Sequence, residues 1–308
     1  MIATILQMAV IMGCGALWRQ LSPRGLTAKD TRLVITSVVY YLFLPALILE
    51  VLWHAHIGLQ SLQYSLVGIS CVLLTLGFSA LCGKLLRLRP AQMGAFMLAT
   101  AFPNVTFLGL PVLEQLFGAW ARSVVIQIDL FAVAPFLFTG GVMLARHYGT
   151  DEQLNPEPLW AFLNAPPFWA MFIAVLLNLN GIAAPEWLSA ILQRLLAAVV
   201  PLMLFSMGLA LSWQTIRLKQ LPAAGLAIVL KMLLMPAIAL VIVRYLDFTP
   251  PYKAAVVMDI AMPSMLMGVV FCDRYHLDSG LYAMLVTVTT AASVLSLPLW
   301  YPFLTSHL

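Results

Sequence analysis

Five polar side chains sit where polarity is expensive. Asp129, Lys231 and Asp259 lie inside stretches otherwise built from Leu, Ile, Val, Met, Ala and Phe. Asn104 and Ser264 each follow a proline directly, in Ala101-Phe-Pro-Asn-Val-Thr-Phe-Leu-Gly-Leu-Pro111 and Asp259-Ile-Ala-Met-Pro-Ser-Met-Leu-Met-Gly268. An ionisable group in the middle of an apolar span costs roughly 3 kcal/mol or more, which makes each one a functional candidate. Lys231 could supply a fixed positive charge to an anion, or pair internally with one of the aspartates and hold helices together. Asp129 or Asp259 could carry a coupling proton, or serve structure and gating. Asp259 stands one turn before Pro263, so it could instead bond backbone groups that the proline frees. Asn104 and Ser264 suit the border of an anion site, with Thr106 adding a hydroxyl. The same side chains also suit the plainer task of satisfying broken backbone.

The elements that would position these groups are helices with breaks. Pro103 removes one helical N–H and clashes with the carbonyl one turn earlier, and Gly109 and Pro111 loosen the next turn. At membrane depth an unwound backbone is tolerated only where protein buries it or where it lines a watery cavity. The second broken stretch aligns with the first at one constant shift: Pro90 on Pro250, Ala95 on Ala255, Ala101 on Ala261, Pro103 on Pro263, Asn104 on Ser264. Two corresponding interrupted spans, one per half, mark an internally repeated transporter and its binding site. A half-helix that starts after a break presents free N–H groups and about half a positive charge. Two such ends aimed at one point near the midplane would receive an anion, most naturally a carboxylate. Pro45 and Pro201 are expected to break the second span of each half, and Pro135 and Pro298 fall in the fifth span of each.

Of 308 residues, 62% are hydrophobic and 9% charged, against roughly 25% charged in soluble domains. The chain reads as an all-α integral membrane protein. At about 20 residues per span its length allows about ten transmembrane helices. They are expected at 3–18, 33–52, 64–86, 92–116, 121–145, 161–180, 188–212, 222–245, 251–272 and 280–304, with the breaks in spans 4 and 9. This divides the chain into a first five-helix repeat (1–145), a short cytoplasmic linker (146–160) and a second, inverted five-helix repeat (161–308). The inversion follows from the odd span count. Eleven basic residues (Arg19, Arg24, Lys29, Arg32, Lys84, Arg87, Arg89, Arg146, Arg217, Lys219, Arg274) fall on one side and four (Arg122, Arg194, Arg244, Lys253) on the other, with Lys231 within the membrane. The richer side should be cytoplasmic, which places both termini outside, in the periplasm of a cell with an inner membrane.

Other chemistry is thin. The four cysteines, Cys14, Cys71, Cys82 and Cys272, show no metal or redox spacing and read as small apolar side chains. His54 and His56 read as a solvated outer loop rather than a metal site, and Glu50 is near enough to its span end to reach the interface. Trp53, Trp120, Trp187, Trp213, Trp300 and Tyr301 read as interface anchors. The methionines near Pro263 read as adaptable packing that could also pad a substrate pocket. No HExxH, GxSxG, GxGxxG or P-loop is present, so the expectation is no enzyme, no cofactor and no metal, and transport driven by a gradient.

Four segments, in order along the chain, resemble the auxin efflux carrier family, which includes the plant PIN proteins and shorter bacterial permeases. Pro103-Asn-Val-Thr-Phe-Leu-Gly-Leu-Pro-Val-Leu-Glu-Gln-Leu-Phe-Gly118 is similar to the family's PN…GxP segment, and Leu230-Lys-Met-Leu-Leu-Met-Pro236 to its eighth-span segment. Ala261-Met-Pro-Ser264 with Phe271-Cys-Asp-Arg-Tyr-His276 is similar to its ninth-span break, and Leu297-Pro-Leu-Trp300 to its last span. The short bacterial permeases are the closer likeness, because the long hydrophilic central loop of many PIN proteins is missing. The resemblance implies two inverted five-helix repeats with crossed broken helices, a scaffold (spans 1, 2, 6, 7), a moving transport part, elevator-like alternating access and a homodimer. It implies organic anions as substrates, auxin in plants and small carboxylates such as malate or malonate in bacterial relatives. It also carries the crossover role onto Pro103, Asn104 and Pro263. Ser264 and Met265 stand where several relatives have other small or polar residues.

The expected function is a secondary carrier of a small organic anion, a mono- or dicarboxylate. Its partners would be the anion, the bilayer and a proton, with no nucleic acid. The rivals are a sodium-coupled symporter of bile-acid-transporter type, for which Asn104, Thr106, Asp129, Ser264 and backbone carbonyls would supply oxygens, and a membrane sensor that binds without transport.

Overall fold

The computed structural model describes residues 2–55, 57–149, 164–210 and 218–308. His56, Trp213, Arg217 and most of the expected linker at 146–160 lie outside the described residues. In chain order the helices are α1 (Ile2–Leu21), α2 (Ala28–Trp53), α3 (Leu59–Leu85), α4 (Pro90–Ala101), α5 (Val105–Phe117), α6 (Ala121–Tyr148), α7 (Pro166–Leu179), α8 (Glu186–Ala210), α9 (Leu218–Arg244), α10 (Pro250–Ile260), α11 (Gly268–Arg274) and α12 (Ser279–His307). No strand occurs among the described residues. Six helices, α2, α3, α6, α8, α9 and α12, are each long and apolar enough to cross a bilayer. The outward leucines of α3, Leu62, Leu66, Leu73 and Leu81, are exposed, as on a helix that faces lipid or a partner rather than water. The protein is an all-helical, multi-pass membrane protein.

Helix ends follow local chemistry. Pro90, Pro166 and Pro250 each open a helix at its first position, where the missing N–H would have no partner anyway. The Thr27 side chain accepts the Asp30 N–H at 3.1 Å, and the Asp278 carboxylate accepts the Leu281 N–H at 2.8 Å. Gly118, at φ 96°, ends α5 in a conformation that other residues resist.

The internal prolines act in a less expected way. Pro201 and Pro298 sit inside continuous α-helix, and Pro45 does not interrupt α2 either. The expected break of the second span of each half is therefore absent. Instead, four prolines are each preceded by one widened π-turn: Val39–Phe43 before Pro45, Val105–Gly109 before Pro111, Asp129–Val133 before Pro135 and Leu230–Leu234 before Pro236. Each turn begins at the same distance, six residues ahead of its proline. A proline ring clashes with the carbonyl four residues back. Widening the turn swings that carbonyl aside, and the helix continues. Each widened turn also carries a polar side chain: Tyr40, Thr106, Asp129 and Lys231, respectively.

Packing separates the helices into two groups. In one, α1 lies along α8, and α2 packs on both α7 and α8. Gly15 and Gly208 let α1 and α8 approach so closely that a Cβ on either would meet the other helix's backbone carbonyl. In the other group α3, α4, α5, α6, α9, α10, α11 and α12 pack on one another. The groups meet chiefly where α5 crosses α8 and where α6 lies against α2. Two expected interface tryptophans are internal stitches. Buried Trp53 donates to the Ile182 carbonyl at 2.7 Å, and Trp300 to the Met232 carbonyl at 2.8 Å, because an indole N–H away from water requires an acceptor. Of the cysteines, Cys71 and Cys272 are buried as expected, while Cys14 faces outward.

Candidate functional site

Both proline breaks form. After α4 ends at Ala101, Phe102 to Asn104 is non-helical. After α10 ends at Ile260, the chain is irregular from Met262 to Met267. The two gaps cross. The Asn104 N–H donates to the Pro263 carbonyl at 2.8 Å, and the Met265 N–H donates to the Phe102 carbonyl at 3.1 Å. Pro103 and Ser264 thus form an isolated antiparallel bridge, the shortest possible sheet, at the centre of a helical protein. Proline breaks free backbone groups in a place without water, and here each break satisfies the other.

The sides of the crossing differ. α5 resumes immediately after Asn104, whose carbonyl accepts from both Leu108 (3.3 Å) and Gly109 (3.0 Å). The second helix resumes only at Gly268, four residues past Ser264. The Ser264 N–H already donates to Thr289 Oγ1 at 3.2 Å, and the two hydroxyls lie 3.0 Å apart. Tyr282 donates to the Met265 carbonyl at 2.6 Å. The second half-helix therefore does not start directly after its break, as the sequence suggested: Thr289 takes the Ser264 N–H there, and the helix begins only at Gly268.

A cavity of about 80 Å³ lies against the first side, between the two helix groups. Asn104, Thr106 and Phe107 of the α5 start, Asp129 of α6 and Met265 line it from one group, with Tyr40 of α2 and Phe168 of α7 facing them. Asn104 is 1% exposed, and its amide nitrogen lies 3.5 Å from Met207 Sδ on α8, across the boundary between the groups. Thr106 donates its hydroxyl to Asp129 Oδ2, while Asp129 Oδ1 has no hydrogen-bond partner among the described residues. Asp259 is fully buried behind this turn, with no partner on either carboxylate oxygen. It does not bond freed backbone, the alternative its sequence position allowed. It lies against Gly109, where a Cβ would collide with Asp259 Oδ1.

Of the residues singled out in the sequence, Asn104, Thr106 and Asp129 converge on the cavity. Pro103 and Pro263 build the crossing behind them, and Asp259 abuts the α5 turn. Ser264 turns to Thr289 and does not line the cavity. Lys231 is also elsewhere. It is fully buried, with Nζ 3.1 Å from Met235 Sδ and Cys71 nearby, and it forms no ion pair with either aspartate. Met207 and Thr289 were not found from the sequence. One methionine among 16 and one threonine in an apolar helix carry no local signal. A larger cavity of about 810 Å³ follows the same boundary towards Trp120, lined by Glu50, Arg122, Gln127 and Gln193 among others. Glu50, expected at the interface, is buried there and accepts from Gln193 at 3.1 Å.

The crossed breaks lie beside a cavity at a boundary between two helix groups, and sequence comparison shows the family. The profile of a family described as "Membrane transport protein" matches residues 1–301. The chain belongs to this auxin efflux carrier-like family. An uncharacterized transporter from Methanothermobacter thermautotrophicus is 28% identical over 302 residues, covering 96% of each chain. One from Methanocaldococcus jannaschii is 24% identical, over 90% of this chain and 91% of that one. The uncharacterized transporter YfdV of Escherichia coli K12 is 24% identical, over 71% of this chain and 70% of its own. The resemblance first drawn from four segments thus extends over nearly the whole chain, and the protein is a membrane transporter of this family.

Proposed function

We propose that this transporter is a secondary carrier of a small organic anion, a mono- or dicarboxylate, which binds in the cavity at the start of α5. The observation that carries the reading is the crossing itself: two breaks locked by the Asn104–Pro263 and Met265–Phe102 hydrogen bonds, with a cavity at the N-terminal end of α5. The first N–H groups of α5 lack helical acceptors and carry the positive end of its dipole. The Asn104 amide and Thr106 hydroxyl add specificity. A volume of about 80 Å³ is several times what one water needs, which favours carboxylates with few heavy atoms.

In this reading the helix groups move as units. The body of α3–α6 and α9–α12 carries the cavity past the α1, α2, α7, α8 scaffold in an elevator-like step, and contacts such as Asn104–Met207 are exchanged. The chain makes ten crossings, with residues 1–145 and 161–308 as repeats of opposite orientation. The basic ends face the cytoplasm and both termini face outward across an inner membrane.

The test is thermal unfolding of purified protein with mono- and dicarboxylates, malate and malonate among them, with and without sodium. A ligand that binds only the folded state stabilises it by RT ln(1 + [L]/Kd). A sodium-independent rise in Tm with a carboxylate is expected. A rise that requires sodium replaces this reading with a sodium symporter, and binding without flux in proteoliposomes replaces it with a sensor. No response to any carboxylate removes the anion assignment.

A further inference from the structure

The cavity proposed to hold a carboxylate has an aspartate as its ionisable carboxyl lining and no lysine, arginine or histidine. Two carboxylates in a space of about 80 Å³ repel by several kcal/mol at the low effective dielectric of a buried site. The positive end of α5 offsets part of one charge, not both. No basic side chain is paired with Asp129 to offset the other. The geometry provides a different solution. Thr106 occupies Asp129 Oδ2 as a donor, while Oδ1 is buried without a hydrogen-bond partner among the described residues, in a side chain that lines the cavity. A proton on Oδ1 would neutralise Asp129 and turn that oxygen into a donor.

We infer that Asp129 is a proton site on which carboxylate binding depends, so that one proton accompanies each anion. The inference rests on the carboxylate reading above. The proton comes from water reaching the cavity, binds Oδ1, and is donated as a hydrogen bond to one oxygen of the incoming carboxylate. No covalent bond other than O–H forms or breaks.

The surroundings agree. The widened turn bearing Asp129 packs on α3, whose titratable groups are Tyr64, Cys71, Cys82 and Lys84. None of these hydrogen-bonds to Asp129, and Cys71 faces Lys231 instead. On α6 itself, Arg122 is paired with Glu114. Tyr40 faces Asp129 across the cavity from α2. Behind the α5 turn the titratable neighbour is Asp259, which lies against Gly109. Thr106 and Gly109 lie in one turn between the aspartates, so a movement of α5 reaches both carboxyls.

Two measurements test this. Infrared difference spectroscopy on the ligand-free protein should show a protonated-carboxyl C=O band at neutral pH that is lost in Asp129→Asn and shifted in Thr106→Val, which removes the hydrogen bond without changing charge. Above the pH at which that band disappears, addition of malonate to weakly buffered protein should take up about one proton per anion bound, and affinity should fall up to about tenfold per pH unit. A band unchanged in both variants, or malonate binding without proton uptake and with pH-independent affinity, overturns the inference. A requirement for sodium overturns it as well. If no carboxylate binds but the band behaves as stated, the anion reading fails while the proton site stands.

Discussion

Asn104 and Pro263 hold one another across the centre of the protein: the Asn104 N–H donates to the Pro263 carbonyl at 2.8 Å. The bond belongs to the backbone, so the Asn104 side chain is free for a different task at the cavity edge. Asn104→Ala should keep the crossing, and with it the fold. It should weaken carboxylate binding by about tenfold, the loss of one hydrogen bond of roughly 1.5 kcal/mol to a charged ligand. Tm without ligand measures the first effect and the ligand-induced shift in Tm the second. An unchanged ligand shift would remove Asn104 from the site.

Gly109 is small because Asp259 is there. A methyl group at 109 would overlap Asp259 Oδ1 and press on Met262 Cγ at 3.2 Å. Gly109→Ala should therefore lower stability by about 1–3 kcal/mol, as overpacking does. Gly225→Ala, with nothing within 4 Å of the added atom, should be neutral or slightly stabilising. Combining Gly109→Ala with Asp259→Ala should recover much of the loss. If the double variant is as unstable as the sum of the singles, the contact is not what Gly109 preserves.

The breaks were legible because proline acts locally. Pro103 and Pro263 at matching positions told where helices must stop, and what a helix interrupted inside a membrane requires told that the gaps must be buried together. Pro45, Pro135, Pro201 and Pro298 have the same local chemistry, yet they sit in helices that continue. Whether a helix breaks or widens by one π-turn depends on what the displaced carbonyls meet, and that is tertiary information. Asn104, Thr106 and Asp129 were readable as polar atoms in apolar surroundings. The sequence also pointed to Ser264 and Lys231 by that rule, but it could not show which way they turn. Thr289 takes up Ser264, and Met235 and Cys71 receive Lys231, all from ordinary apolar-looking helix positions.

Lys231 is the case where structure changes the expected experiment. It is fully buried, its Nζ lies 3.1 Å from the Met235 thioether sulfur, and it does not line the cavity. Lys231→Met should leave the carboxylate-induced Tm shift unchanged. Stability should stay equal or rise, because replacing a buried amine with an apolar side chain of similar length removes the cost of burying a polar group. Loss of the ligand response at unchanged Tm would put the lysine back in the path of the anion.

Orientation can be read from two exposed positions at opposite ends of the bundle. Arg87 lies in the turn after α3, and Ser306 near the end of α12. The α3–α4 turn belongs with Asp278, which contacts Gln92 and Ala91. The end of α12 belongs with Leu116, whose carbonyl accepts from Tyr301 at 3.4 Å. Basic residues concentrate at the first of these ends, so it should face the cytoplasm. In a cysteine-free background, a membrane-impermeant maleimide added to intact spheroplasts should label Ser306→Cys and not Arg87→Cys, with both labelled after lysis. Labelling of Arg87→Cys alone would invert the topology. The cavity of about 810 Å³ near Trp120, on the same end as Ser306, would then open to the cytoplasm instead of the outside.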